Sequence, residues 1–283
     1  MESIPEVFWY WIRERHSIWL KKEGGESPPW TSDPILQKYK FTNVFRENDR
    51  TSKWVADNWR EPNKYDEHCW FAMAVAILVN LPVTLEEIGY PVPYDRERCI
   101  AVCTERKKKG LKTYSGAYII NSPQGVERAV RIFTQTLQPM WDKRKELHWR
   151  NFGTLRAWHE ALTQQYGLGS FLAAQIIAAS KYLPGLTDVP DWWTFAAPGP
   201  GSMRGLNRLL ERDVDASWSP DEWYHCAYLL WDATKEELPP EIGHNLHMQD
   251  LQNCLCEFDK YMRAKLGQGR PKTLYKGGAV CEL

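Results

Sequence analysis

Residues 166–195, YGLGSFLAAQIIAASKYLPGLTDVPDWWTF, decide how the rest of the chain is read. Gly167 and Gly169 straddle Leu168, an apolar run follows, and a short loop then presents Asp191. Glycine takes positive φ at the least steric cost, so two glycines mark a tight turn. Ser170 starts the following helix, whose first N–H groups have no intrahelical partner. Such a helix start holds an anionic oxygen well. With 155–166 as a first helix, the stretch reads as helix, glycine turn, helix, an element able to grip a DNA-backbone phosphate without reading bases. A plain helix–helix turn fits the same pattern.

The rest of the chain is consistent with a helical protein. Its 283 residues suffice for a buried core. Periodic apolar segments predict helices at 6–22, 35–39, 51–59, 67–80, 85–88, 96–109, 124–140, 154–166, 170–181, 221–232 and 250–266. Ser32 and Asp33 before Pro34 signal the start of the second. Pro82 stops the fourth, and Thr84 with Glu87 spells a capping box for the fifth. Ser122-Pro123 opens the 124–140 helix, with Val126, Val130, Phe133 and Leu137 on one face. Strand-like alternation is nearly absent. The class expected is all-α, as a single helical domain over 1–283 with two lobes and a cleft. The hairpin and its acid loop lie at about 154–208, and a basic, flexible tail at about 267–283.

Composition narrows the function. Lys plus Arg equals Asp plus Glu, so the chain is no simple basic coat for nucleic acid. Local basic runs stand at 105–112 (ERKKKGLK) and 257–276. The 15 tryptophans exceed ordinary usage; most serve packing, but such a surplus also suits stacking on bases. The seven cysteines form no CxxC pair and no zinc spacing, so no metal and no cofactor is expected, and the odd, scattered set reads as reduced thiols in the cytoplasm. No signal peptide opens the sequence and no apolar run reaches membrane-spanning length.

Further stretches carry chemistry. Asp191 lies 22 residues after Gly169, which resembles the placing of the essential aspartate after the hairpin in helix-hairpin-helix DNA glycosylases; the resemblance implies a fixed carboxylate that stabilises positive charge developing on a sugar and orients a water. Asp188 is an alternative in the same loop. In APGPGSMRGLNR, 197–208, backbone N–H groups can form an anion nest, with Arg204 and Arg208 reaching phosphates. No Gly-Lys-Ser/Thr occurs, which argues against a nucleotide kinase. In YKFTNVFRENDRTSKW, 39–54, Asn43, Arg46 and Arg50 alternate with aromatic residues including Phe45, as in a pocket wall where Asn43 reads a pyrimidine edge; a surface helix with an Arg–Asp pair fits equally. MQDLQNCLCEFDKYMR, 248–263, reads as an amphipathic helix with i,i+4 pairs.

Five of these segments in order, FTNVFRENDR, WFAMAVAILVN, GLGSFLAAQIIA, DWWTFAAPGPGSMRGLNR and QDLQNCLCEFDKY, resemble the α-glutamyl/putrescinyl thymine pyrophosphorylase family. That family is similar to the helical domain beside 5-hydroxymethyldeoxyuridine DNA kinases, and the likeness spans about 6–275. It is associated with phage DNA hypermodification, and its fold resembles helix-hairpin-helix DNA glycosylases. The resemblance implies a double-stranded DNA partner carrying modified pyrimidines, with no membrane and no protein partner evident.

On that footing the expected activity is a monofunctional glycosylase. It flips out a hydroxymethyl- or glucosyl-hydroxymethyl-type pyrimidine and acts through Asp191. Gly167, Gly169, Ser170, Arg204 and Arg208 bind DNA phosphates; Asn43, Phe45, Arg46, Arg50, Trp192 and Phe195 line the base pocket. Phe171 stands where a lyase-type relative carries lysine, and the iron–sulfur cysteines of some relatives are missing, which argues against strand cleavage through a Schiff base. Acting on phage DNA, such an enzyme serves antiviral defence. Two readings compete: a transferase that replaces pyrophosphate on the 5-methylene of thymine with an amine, and a non-catalytic reader of modified DNA.

Overall fold

The computed structural model describes residues 3–118, 120, 122, 124–269, 271 and 273–275. Helices and turns build the described residues, and the one strand-type pairing among them is an antiparallel bridge between Tyr39 and Leu274. The all-α expectation holds. The chain divides into two compact units: Arg50–Phe195, and a discontinuous unit made of Met1–Asp49 and Ala196–Leu283.

The discontinuous unit is organised on the helix Met248–Lys265. Leu251, Leu255 and Phe258 join the core with Phe8, Trp11 and Trp223. The expected apolar face and an i,i+4 pair, Asp259 with Arg263, are present, and Gln249, Asp250, Gln252, Glu257 and Asp259 are buried as well. Its polar side chains are answered rather than exposed. Thr42 N–H donates to Glu257 (3.1 Å), Arg46 N–H donates to Asp250 (3.0 Å), and Asn253 donates to the Thr42 hydroxyl (2.9 Å). Buried polar groups are tolerated when each finds a partner.

The Gly/Pro-rich stretch behind this helix is also not the loop nest expected. It folds as the helix Pro200–Leu209, with proline in the first turn, where its missing N–H costs nothing. Gly201 and Gly205 share one face of it. A Cβ built on Gly205 would overlap the Leu255 carbonyl oxygen, and one on Gly201 would overlap the Cys256 sulfur. Glycine is used here for close helix approach, not for backbone freedom. The expected flexible tail is tied down where it is described: Lys40 N–H donates to Thr273 O (3.0 Å) and Tyr275 N–H to Lys38 O (2.9 Å). Residues 270, 272 and 276–283 of that tail lie outside the described residues.

In the unit Arg50–Phe195 the helix Cys69–Val79 is central, with every residue but Ile77 buried. Trp70 meets Trp158 of helix Leu155–Thr163 edge-on, ring centroids 6.0 Å apart. Two local expectations change. Pro82 begins the helix Pro82–Ile88, which puts Thr84 inside it, its hydroxyl donating to Thr113 O (2.9 Å), while Glu87 pairs with Arg106. The Thr84–Glu87 capping box therefore does not form. The expected 124–140 helix starts only after Gly125, which has φ +81°, and Pro123 lies outside the described residues. It runs as the π-helix Val130–Leu137 into Gln138–Asp142. The wider π turn buries Arg131, Ile132 and Phe133 and leaves Val130 exposed, off the face that a 3.6-residue period assigns it.

Replacing Gly205 with alanine is expected to destabilise the chain by about 1–3 kcal/mol, the usual cost of overpacking, because the Leu255 carbonyl belongs to a helix backbone that cannot swing away. Urea unfolding of Gly205→Ala should show a lower midpoint at unchanged slope.

Candidate functional site

The helix, glycine turn and helix read from the sequence are present as Leu155–Thr163, Gly167–Gly169 and Ser170–Ser180. Gly167 has φ +86°, and a Cβ there would press on Thr136, Ile120 and Arg131. Its glycine is required twice, by conformation and by space. Gly169 differs. It is the N-cap of Ser170–Ser180 at an extended φ of −91°, it offers no side-chain cap, and a Cβ there would meet nothing within 4 Å. The helix start behind it is exposed at Ser170 and Phe171, so its unpaired N–H groups are open to an anion.

Aromatic side chains flank the turn. Tyr166 is 60% exposed with the Arg131 guanidinium 4.0 Å over its ring, and the exposed Phe171 lies 5.9 Å from Tyr118. Arg131 is itself buried, and its Nε has no hydrogen-bond partner among the described residues.

Asp191 is fixed in the same assembly. Its Oδ1 accepts from Leu155 N–H (2.8 Å) and its Oδ2 from Arg156 N–H (2.9 Å). The acid thus caps the first hairpin helix, alongside Thr154, whose hydroxyl accepts from Ala157 N–H (3.1 Å). His159, one turn further along, reaches the second helix: its Nε2 lies 2.9 Å from Ser170 O and 3.3 Å from Ser170 Oγ. A carbonyl oxygen only accepts, so Nε2 carries the proton. The same ring packs on Phe195 (5.6 Å), and burial lowers the His159 pKa below its ordinary value. Asp191, both hairpin helices and Phe195 form one bonded set through this histidine.

The aromatic candidates in the loop are occupied. Phe195 is 3% exposed and belongs to the interior rather than to a ligand pocket. Trp192 exchanges two hydrogen bonds with buried Lys181, indole Nε1–H to Lys181 O (2.8 Å) and Lys181 Nζ to Trp192 O (2.6 Å). The exposed ring is the neighbouring Trp193, set edge-on to Trp192 at 4.9 Å.

The candidates from 39–54 do not form one wall within either unit. Arg50 is exposed and begins the second unit; Asn43, Phe45 and Arg46 belong to the discontinuous one. Asn43 is buried and spends its amide internally: Oδ1 accepts from Arg15 (2.6 Å) and Nδ2 donates to Asn48 O (2.6 Å). Both ends of the amide are thus held inside the unit, each by one bond. Phe45 packs on His16 (5.3 Å) and Arg46 lies 3.8 Å from Asp49. Burial raises the Asp49 pKa. Arg208 is likewise internal, Nε to Asp259 (2.9 Å) and Nη2 to Gln268 (2.9 Å), while Arg204 holds the other Asp259 oxygen (3.0 Å).

Sequence reasoning misses His159, Lys181 and Arg131. Lone polar residues in apolar helices carry no spacing signal. Among the described residues no group of three or more potential metal ligands gathers, and no helix is long and apolar enough to cross a membrane. Burial pushes the Cys69, Cys103 and Cys256 thiols up to about 11 and Cys99 to about 12, which keeps them protonated at neutral pH.

A family model described as the helical domain of 5-hmdU DNA kinase matches residues 2–270. The 5-hmdU DNA kinase of Bacillus phage SP10 is 25% identical over 290 residues, which is 92% of this chain and 45% of the phage protein. The chain thus spans a little under half the length of that relative. No solved structure is significantly similar.

The two glycines should separate on substitution. Gly167→Ala should lose on the order of 1 kcal/mol or more of stability through its positive φ and its close neighbours. Gly169→Ala should stay within about 0.5 kcal/mol of wild type, the range of an unstrained surface change. Denaturant midpoints of both variants check this. His159 supplies a pH test. Its folded pKa is lowered, so the unfolded chain binds more protons below about pH 6.5, and stability falls as pH drops through that value. His16 and His148 shift in the same direction. His159→Gln keeps a donor for Ser170 O and should flatten part of the fall, read as unfolding free energy at about pH 7.5 against about pH 5.5.

Proposed function

The chain belongs to the family of the 5-hmdU DNA kinase helical domain, and from that premise we propose that it acts on DNA bearing a 5-modified pyrimidine, which it excises as a monofunctional glycosylase. The observation that carries the reading is the single hydrogen-bonded set of hairpin and acid. The open helix start at Gly169 and Ser170 takes a backbone phosphate. Asp191, clamped to the partner helix by two N–H bonds, then holds a fixed position relative to the sugar that follows that phosphate. As the bond between C1′ and the base nitrogen breaks, positive charge grows on the sugar, and a pre-placed carboxylate stabilises it without reorganising. Water adds its oxygen to C1′, and its proton leaves with the base.

The target base must leave the stack for this chemistry. Among the exposed rings of this unit, Trp193, Tyr166 and Phe171 lie in or beside the hairpin and acid loop and are assigned to stacking, in place of the buried Phe195 and the pinned Trp192. Lys181 offers no Schiff-base route, being buried beneath Trp192. Acting on hypermodified phage DNA, such an enzyme serves defence against the phage. One observation favours the transferase reading instead: three guanidinium groups gather on Asp259, a setting suited to a departing pyrophosphate.

Duplexes carrying hydroxymethylated, glucosylated or pyrophosphorylated pyrimidines should lose the modified base on incubation with the wild-type chain and keep it with Asp191→Asn. Free base by mass spectrometry and alkali-labile sites on gels report the reaction. Asp191→Asn keeps the side-chain shape but loses one acceptor, a cost of about 0.5–2 kcal/mol, so its urea midpoint should confirm a folded chain. Intact glycosidic bonds across the whole panel would sink the glycosylase reading; amine-dependent loss of pyrophosphate would establish the transferase.

A further inference from the structure

Asp259 is fully buried, on the helix Met248–Lys265. Three arginines converge on it. Arg208 donates Nε to Oδ1 at 2.9 Å, Arg204 donates Nε to Oδ2 at 3.0 Å, and Arg263 Nε lies 3.3 Å from Oδ2. Arg204 and Arg208 come from Pro200–Leu209, and Arg263 from the same helix as Asp259. One carboxylate thus faces three guanidinium groups, a surplus of two positive charges.

Among the described residues no second carboxylate lies within ion-pair distance of Arg204, Arg208 or Arg263. Glu257 is engaged by Lys260 (2.8 Å) and by Thr42 N–H. The C-terminal end of Met248–Lys265 carries about half a negative charge, which does not offset two. Like charges held this close repel unless a counter-charge enters.

Donor capacity for one remains. All three arginines meet Asp259 through Nε, and among them only Arg208 also spends a terminal nitrogen, Nη2 to Gln268. The terminal nitrogens of Arg204 and Arg263 make no hydrogen bond among the described residues, and these side chains are 33% and 39% exposed. Arg263 Nε is buried and makes no hydrogen bond either. Arg208, at 6% exposure, is the buried anchor.

We propose that Arg204 and Arg263, held in place by Asp259 and Arg208, form an oxyanion site for a ligand of about two negative charges: a phosphate monoester or pyrophosphate group, or two successive phosphodiesters of a nucleic-acid backbone. Guanidinium forks match phosphate oxygens in pairs. The site stands in the discontinuous unit and deepens the phosphate-binding role read for Arg204 and Arg208 from the sequence; its binding measurements do not depend on Asp191.

The test pairs Arg204→Gln/Arg263→Gln with a charge-matched control, Arg212→Gln/Lys235→Gln, both in the full chain and both checked for folding by urea midpoint. Isothermal titration with inorganic phosphate and with pyrophosphate reads the free-anion source. The salt dependence of binding to an unmodified duplex reads the backbone source. The site predicts at least tenfold weaker pyrophosphate binding in the arginine variant, or a duplex salt slope lower by about 0.9 for each phosphate no longer neutralised, with the control near wild type. The first result assigns a free or terminal phosphate, the second a DNA backbone. An arginine variant that matches wild type in both measurements, or a control that loses as much as the arginine variant, overturns the proposal. Base release is scored separately with Asp191→Asn, so that failure of this site and failure of the excision reading are told apart.

Discussion

Two backbone N–H groups that open the helix Leu155–Thr163 donate to the two oxygens of Asp191, 36 and 35 residues away. An uncapped helix start leaves several donors unpaired and about half a positive charge exposed. Asp191 meets both demands, and in doing so it fastens the loop that ends the unit to the helix that begins the hairpin. His159, carried on that capped helix, then fixes the start of the second helix through Ser170 and packs on Phe195. Remove the cap, and the loop, the histidine and the glycine turn lose their common reference.

The glycines show how one residue type serves different constraints. Gly167 is needed for its positive φ and for the space beside Thr136; Gly205 is needed only because a helix backbone passes where its Cβ would stand. Gly169 answers to neither demand. A glycine that its own protein does not require, at an exposed helix start, is what close approach of an outside group calls for. That contrast supports the anion-binding reading of the hairpin more firmly than the presence of two glycines does.

The helices, the hairpin and the capping role of Asp33 before Pro34 are legible because local signals specify them: apolar period, cap residue, first-turn proline. Pro200 misleads for an equally local reason. Its glycine neighbours suggest a loop, while their true cause, the Leu255 carbonyl, belongs to a helix remote in sequence. The π turns escape because a 3.6-residue template cannot register them. Among site residues, the chemistry is readable and the partners are not. Asn43 and Arg208 are residue types that bind ligands, but the same polar groups can be spent inside the protein: Arg15 donates to the Asn43 amide oxygen, and Arg208 donates to Asp259. Such long-range pairing leaves no spacing pattern in one sequence. His159 is invisible for the converse reason: a single histidine on a helix has no motif until Ser170 is folded against it.

A carboxylate used as a cap is not thereby spent. Each Asp191 oxygen accepts one N–H bond, and a carboxylate oxygen has two lone pairs, so acceptor capacity remains on both. In the proposed reaction this is an advantage. A free aspartate must be ordered as the sugar charge develops, whereas a capped one has already lost its rotamer freedom on folding. The two N–H bonds draw some negative charge away from the sugar, which weakens the stabilisation it can give. The balance favours the cap when the substrate is held at a phosphate by the neighbouring helix, because the separation between acid and sugar is then set by the same hydrogen-bonded frame at both ends.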